Sequence, residues 1–247
     1  MSAEKPLDVQ SHSTAEQMGA AAAQCAGEAL VAALKDRGSA RLMLAAAPSQ
    51  LETLRHLARY PGLDFTQVEC FHMDDYLGLS PDAPQGFGNW LQRELFSLVT
   101  PKAFHRIDVT AAPEAAAEAY RTAMGDEKFD LTLCGLGVNG HLAFNDPPAD
   151  LHDPLSARVV TLDDVSRKQQ VDEGHFPDTD AVPTHAITVT IPRLLQARRI
   201  VASVPTAVKK NAVRDTLQEP VSGEHPGTAL RTHPDAHLFI TKEADPR

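Results

Sequence analysis

FDLTLCGLGVNGHLAFNDPP, from Phe129 to Pro148, runs an apolar segment into a glycine-rich turn, one histidine and a proline stop. A segment apolar along its whole length suits a strand of a parallel sheet covered on both faces. Gly135, Gly137 and Gly140 spell GxGxxG after that strand, the fingerprint of a dinucleotide site. That reading fails on physical grounds. The fingerprint needs a helix whose amino end receives a pyrophosphate, yet only His141 to Asn145 follow before Asp146-Pro147-Pro148, and proline both removes a donor and disfavours helix at the residue before it. The turn is therefore expected to cradle an oxygen of a small ligand on its backbone N–H groups, with His141 working beside it.

The same alternation of strand and helix recurs on both sides of this stretch. TAEQMGAAAAQCAGEALVAALKDRG, from Thr14, combines a capping box (Thr14 with Gln17) with apolar residues at three- and four-residue steps, which predicts a long helix ending at Gly38. RLMLAAAP (Arg41 to Pro48) and VECFHMD (Val68 to Asp74) read as strands. Helices are expected over SQLETLRHLARY, with Leu51, Leu54 and Leu57 at helical spacing and Ser49 as N-cap, over GNWLQRELFSLV and over Glu114 to Gly125. ARVVTL (157–162), AITVTI (186–191), RIVASVP (199–205) and HLFITKE (237–243) add strands, with a helix from Ala207 to Leu217 between the last two. The pattern predicts a single α/β domain over 1–247, a three-layer Rossmann-like arrangement with a mainly parallel central sheet and helices on both faces. Ligands of such sheets sit beyond the carboxyl ends of the strands. A lid is expected over the polar stretch 150–184, and the segments 172–184 and 218–235 read as long surface loops or short helices.

Composition narrows the function. A chain of 247 residues with 33 acidic and 23 basic side chains has a formal charge of −10, which opposes non-specific binding to nucleic acid or anionic lipid. Cys25, Cys70 and Cys134 are an odd, widely spaced set that reads as reduced core residues. No stretch approaches a membrane span and the N-terminus lacks the apolar core of a signal peptide, so a cytoplasmic protein is expected. His233 and His237, spaced by four with a proline between them and no cysteine nearby, are weak evidence for zinc, and no metal site is expected. No serine sits in a GxSxG turn.

Each candidate residue also has a plain structural explanation. A histidine near a turn often serves only its neighbours, but Asn139 and Asp146 flank His141 closely enough to orient its ring, as an acid–base histidine requires. Asp74 and Asp75, at a strand end, are either turn caps or site carboxylates, and adjacent side chains point different ways, so one of them is expected to reach the site. The turn AAAPSQ, with Ala47, Pro48, Ser49 and Gln50, offers backbone N–H groups at a helix start, where an anion is favoured. Lys209 and Lys210 at the start of a later helix oppose the helix dipole, which suggests a nearby anion.

Two segments, FHMDDYLGL and GLGVNGHLAFNDP, resemble the glucosamine-6-phosphate deaminase/isomerase family, itself related to the 6-phosphogluconolactonases. The lactonase branch typically carries an aspartate–glutamate–arginine run at the first segment, and this chain sits on the deaminase side. The resemblance implies conversion of D-glucosamine 6-phosphate and water to D-fructose 6-phosphate and ammonia, with no cofactor. It implies that Asp74 moves a proton between C2 and C1, that His141 opens the sugar ring with support from Asn139 and Asp146, and that substrate and its phosphate are held by Ala47, Pro48, Ser49, Gln50, Asp75, Gly137, Gly140 and Lys209. A galacto epimer of the substrate, a lactonase and a non-catalytic phosphosugar sensor remain as alternatives, and the homo-oligomeric state is open. Asn139, Asp146 and the alanine-rich first turn depart from the family pattern. Of the basic pair that forms an allosteric site in some members, Arg158 is present and Val160 stands where a lysine would be.

Overall fold

The computed structural model describes residues 7–247. In chain order its first half comprises β1 (Asp8–His12), α1 (Ala15–Arg37), β2 (Ala40–Leu44), α2 (Leu51–Leu57), β3 (Val68–His72), β4 (Asp74–Tyr76), α3 (Phe87–Glu94), β5 (Ala103–His105) and α4 (Pro113–Met124). There follow β6 (Phe129–Cys134), β7 (Ala157–Thr161), α5 (Asp164–Asp172), β8 (His185–Val189), α6 (Ile191–Leu194), β9 (Ala197–Val204), α7 (Lys210–Gln218) and β10 (Ala236–Thr241). Helix α1 begins as its sequence predicts: the Thr14 hydroxyl accepts from the Gln17 N–H at 3.1 Å, and Gly38 closes it in the left-handed conformation at φ 72°.

Seven strands form a parallel sheet in the order β1-β10-β9-β6-β2-β3-β5, with β6 at its centre. Alternate residues feed two cores. Leu42, Leu44, Val201 and Phe239 meet α1, α2 and α3 on one face, while Met43, Ile200, Ala202, Leu238 and Ile240 meet α4, α6 and α7 on the other. The expected three layers are present. From β2 the chain moves outward through β3 to β5, then returns to β6 on the other side of β2. The loops after β2 and β6 therefore diverge and leave a crevice at the carboxyl ends of the strands.

The sheet differs from expectation in one respect that matters for the site. Segments 157–161 and 185–189 do not join the parallel sheet; β7 and β8 pair antiparallel with each other, and β8 pairs with β4, in a separate three-stranded sheet. The run from Val68 to Asp74 is likewise not one strand. Met73 is the crossing point, its N–H donating to Leu44 in the large sheet at 3.0 Å and its carbonyl accepting from Val189 in the small one at 2.7 Å. Among the described residues no helix is long and apolar enough to cross a membrane.

Candidate active site

The small sheet fixes the two candidate residues, Asp74 and His141, relative to each other. Asp74 lies in register with Thr188 of β8, so its backbone position is set by the β4–β8 ladder. The same strand pins the histidine loop: the Phe144 N–H donates to Thr188 Oγ1 at 3.0 Å, and the Asn145 amide donates to the Val189 carbonyl at 2.9 Å. One short strand thus carries both halves of the site. Asp74 and His141 line a single cavity holding about 510 Å³ of empty space, mouth included, together with Ala45, Ala46, Ala47, Ser49, Gly135, Gly137 and Lys209.

Around His141 the turn is built for a fixed imidazole. The Gly137 N–H donates to the His141 carbonyl and the Gly140 N–H to the Gly137 carbonyl, each at 3.0 Å, with Gly140 at φ 82°. A side chain at Gly137 would place its Cβ 2.3 Å from the His141 ring, so only glycine lets the ring lie there. His141 Nδ1 is 2.9 Å from Asp146 Oδ1 and 2.9 Å from the Ser166 hydroxyl, which itself donates to Asp146. The Asn139 amide donates to the same Asp146 oxygen at 3.1 Å, and its carbonyl accepts the His141 backbone N–H. Burial alone would raise the Asp146 carboxyl. The donors from His141, Ser166 and Asn139 prevail and bring it down to about 2. An ionised Asp146 accepts a hydrogen bond from Nδ1–H, which leaves the other ring nitrogen free to exchange a proton with a ligand.

Asp74 has the opposite character. It is buried, and that burial, reinforced by the neighbouring charge of Asp75, pushes its carboxyl well above the ordinary range. A carboxyl whose charged form is penalised by burial and a neighbouring like charge holds a proton more firmly than an ordinary carboxylate, the character of a group that both takes and returns one. Phe87 and Phe144, stacked with centroids 5.6 Å apart, add an apolar wall to the cavity.

The remaining sequence candidates divide. Ala47, Ser49, Gly137 and Lys209 line the cavity, and Ser49 does so without capping the helix that follows. Asp75 faces away: its carboxylate accepts the backbone N–H groups of Phe87 at 2.9 Å and Gly88 at 3.0 Å at the amino end of α3. Gln50 is wholly buried and donates to the Cys134 carbonyl at 2.9 Å, tying the turn after β2 to the turn after β6. Pro48 opens the short helical turn beside it, and neither Pro48 nor Gly140 reaches the cavity. Asn139 and Asp146 stand behind His141 as positioning residues. His233 and His237 do not converge, since His233 turns to the Ala197 carbonyl while His237 bridges Asp8 and Asp235. Arg158 pairs with Asp153 at 2.8 Å.

Sequence reasoning missed a whole wall. Helix α5, capped by the Asp163 carboxylate, lies within the stretch 150–184 and brings Gln169 and Gln170 to the cavity, with Glu173 and His175 just beyond its end. It also delivers Ser166 to His141. The spacing of Asp163 and Ser166, a capping residue followed by a small polar one, was the available signal for its start.

A crevice at the switch point of a parallel sheet, holding an oriented histidine and a protonatable buried acid, defines a proton-transfer enzyme site of the α/β class. The chain belongs to the family of glucosamine-6-phosphate isomerases and 6-phosphogluconolactonases, whose model matches residues 13–239. It is 32% identical over 231 residues to glucosamine-6-phosphate deaminase of Hahella chejuensis, covering 91% of this chain and 87% of that protein. Glucosamine-6-phosphate deaminase 1 of Bacillus subtilis is 31% identical over 220 residues, covering 85% and 88%. The structure of a monomeric glucosamine-6-phosphate deaminase superposes with a TM-score of 0.86 at 29% identity, covering 96% of this chain and 98% of that one. The 6-phosphogluconolactonase of Trypanosoma brucei shares the fold, with a TM-score of 0.77 at 18% identity and 98% coverage of each chain.

Proposed function

We propose that this chain is an amino-sugar phosphate deaminase/isomerase that converts D-glucosamine 6-phosphate and water to D-fructose 6-phosphate and ammonia. The observation that carries the reading is the pairing, in one cavity, of a buried Asp74 with a raised proton affinity and a His141 whose ring is set by an ionised Asp146. His141 transfers a proton between the anomeric hydroxyl and the ring oxygen, which opens the sugar. Asp74 then takes the proton from C2 and returns it to C1, while the C1 carbonyl oxygen gains a proton and the C2 nitrogen gives one up, so that C2 becomes an imine; water adds to that carbon and ammonia leaves. The reaction balances without a redox cofactor. Ser49, the backbone of Ala47 and Lys209 receive the phosphate.

Lactone hydrolysis needs one base to activate water and leaves Asp74 without a task, so the deaminase reading uses more of the site. The chain acts as one domain in the cytoplasm on a small phosphorylated amino sugar. Assaying ammonia from glucosamine 6-phosphate and galactosamine 6-phosphate, beside lactone hydrolysis, tests the reading. Asp74→Asn is expected to abolish solvent exchange at C2. Ammonia from neither sugar, or turnover undiminished in Asp74→Asn, overturns it.

A further inference from the structure

One acid stands where the phosphate end of the cavity calls for positive charge. Glu173 and Lys209 both line the cavity, with Glu173 Oε1 3.3 Å from Lys209 Nζ. Lys209 is 5% exposed, and among the described residues lining the cavity it is the one lysine or arginine. Of the two cavity histidines, His175 is the one that lies 3.8 Å from Glu173, and burial holds its imidazole below the ordinary value despite that carboxylate. The one permanent cation is therefore neutralised before any ligand arrives. Glu173 is itself held in place: its Oε1 accepts the Gln169 amide at 2.8 Å, and Gln169 in turn accepts the Val138 N–H of the histidine turn at 2.9 Å. A phosphate reaching Lys209 has to displace this carboxylate, since two anions cannot share one ammonium at such distances without strong repulsion.

Building on the reading that the substrate carries a phosphate, we propose that Glu173 is a specificity-determining residue, a resident counter-anion that weakens the grip on dianionic phosphate and favours ligands whose anionic end can take Lys209 from it. The test uses the full chain as wild type, Glu173→Gln and Glu173→Ala, titrated calorimetrically with inorganic phosphate and assayed with glucosamine 6-phosphate. Glu173→Gln removes only the charge and keeps an acceptor for Gln169. Phosphate affinity is expected to rise on the order of tenfold, the scale of one charge–charge interaction in partly solvated surroundings, with a matching fall in KM. Glu173→Ala is expected to move affinity in the same direction, guarding against a new hydrogen bond made by glutamine. Equal or weaker phosphate binding in both variants, or none in any form, overturns the proposal. Tighter phosphate binding without ammonia release would leave this inference standing and sink the deaminase reading; ammonia release with unmoved phosphate affinity would do the reverse.

Discussion

Replacing Asp146 with asparagine separates what this carboxylate does for the fold from what it does for His141. Its proton affinity falls from an ordinary 3.8 to about 2, which at ~1.36 kcal/mol per tenfold change amounts to about 2 kcal/mol of folded-state stabilisation. The sign follows from the depression: the contribution is complete above pH 4 and is lost as pH falls from about 4 towards 2. Wild type should therefore exceed Asp146→Asn by about 2 kcal/mol in urea unfolding at pH 7, and by roughly half that at pH 3. Asparagine also presents either a donor to an imidazole that must donate or a weaker, neutral acceptor. The ring loses its orientation, and kcat for ammonia release is expected to fall by roughly 10²–10⁴-fold, with KM little changed because Asp146 does not line the cavity. Circular dichroism at both pH values and a coupled ammonia assay read the two effects. A stability gap that stays constant between pH 7 and pH 3, or a variant that loses KM rather than kcat, would refute the reasoning.

Three further outcomes follow from the same geometry. Gly137→Ala forces a Cβ to within 2.3 Å of the His141 ring, so turnover should drop at least about 100-fold while stability falls by about 1–3 kcal/mol, the usual cost of overpacking; both are measured on the purified variant, and full activity would show that the ring position is not critical. If Asp74 is the base, kcat/KM must climb with pH as it ionises, and burial places that climb above the ordinary carboxylate range; a pH–rate profile flat down to pH 4 would exclude it. Asp75→Asn removes the like charge that helps raise Asp74, so the climb should move to lower pH, and thermal unfolding should show a loss of about 1 kcal/mol from the weakened bonds to Phe87 and Gly88.

Five strands of the parallel sheet were legible because they are buried on both faces and separated by amphipathic helices, so runs such as Arg41–Leu44 and Phe129–Cys134 announce themselves; the half-exposed edge strands Asp8–His12 and Ala103–His105 gave no such signal. Asp74 and His141 were legible as cavity residues for a related reason, since chemistry-bearing residues at strand ends stand out against apolar runs, and Lys209 because a cation at a helix start opposes the helix dipole. What could not be read was pairing. Ala157–Thr161 and His185–Val189 look like any other short strands, and nothing local says that β8 turns away to pair with β4, since partner choice depends on contacts distant in sequence. Helix α5 was hidden because VSRKQQVDEG carries only two valines, too few for an apolar stripe; Val171 alone packs on the core, and hydrogen bonds to the histidine turn hold the rest in place. Asp75 and Gln50 carried the right chemistry in the right segments but spend it on backbone groups, a distinction that depends on where neighbouring turns pass.

The outermost strand of the large sheet is the earliest segment described, and its neighbour is the last: Asp8 of β1 sits opposite His237 of β10, 229 residues away in sequence. That edge cannot be completed on the ribosome until His237, 229 residues after Asp8, has been synthesised, and until then β1 has no strand to pair with. Closing so long a loop is an intrinsically slow, late event in folding. Trimming the final strand would strip two strands from the assembly at once, and the resulting raw edge is the place where this protein is expected to begin sticking to its own copies.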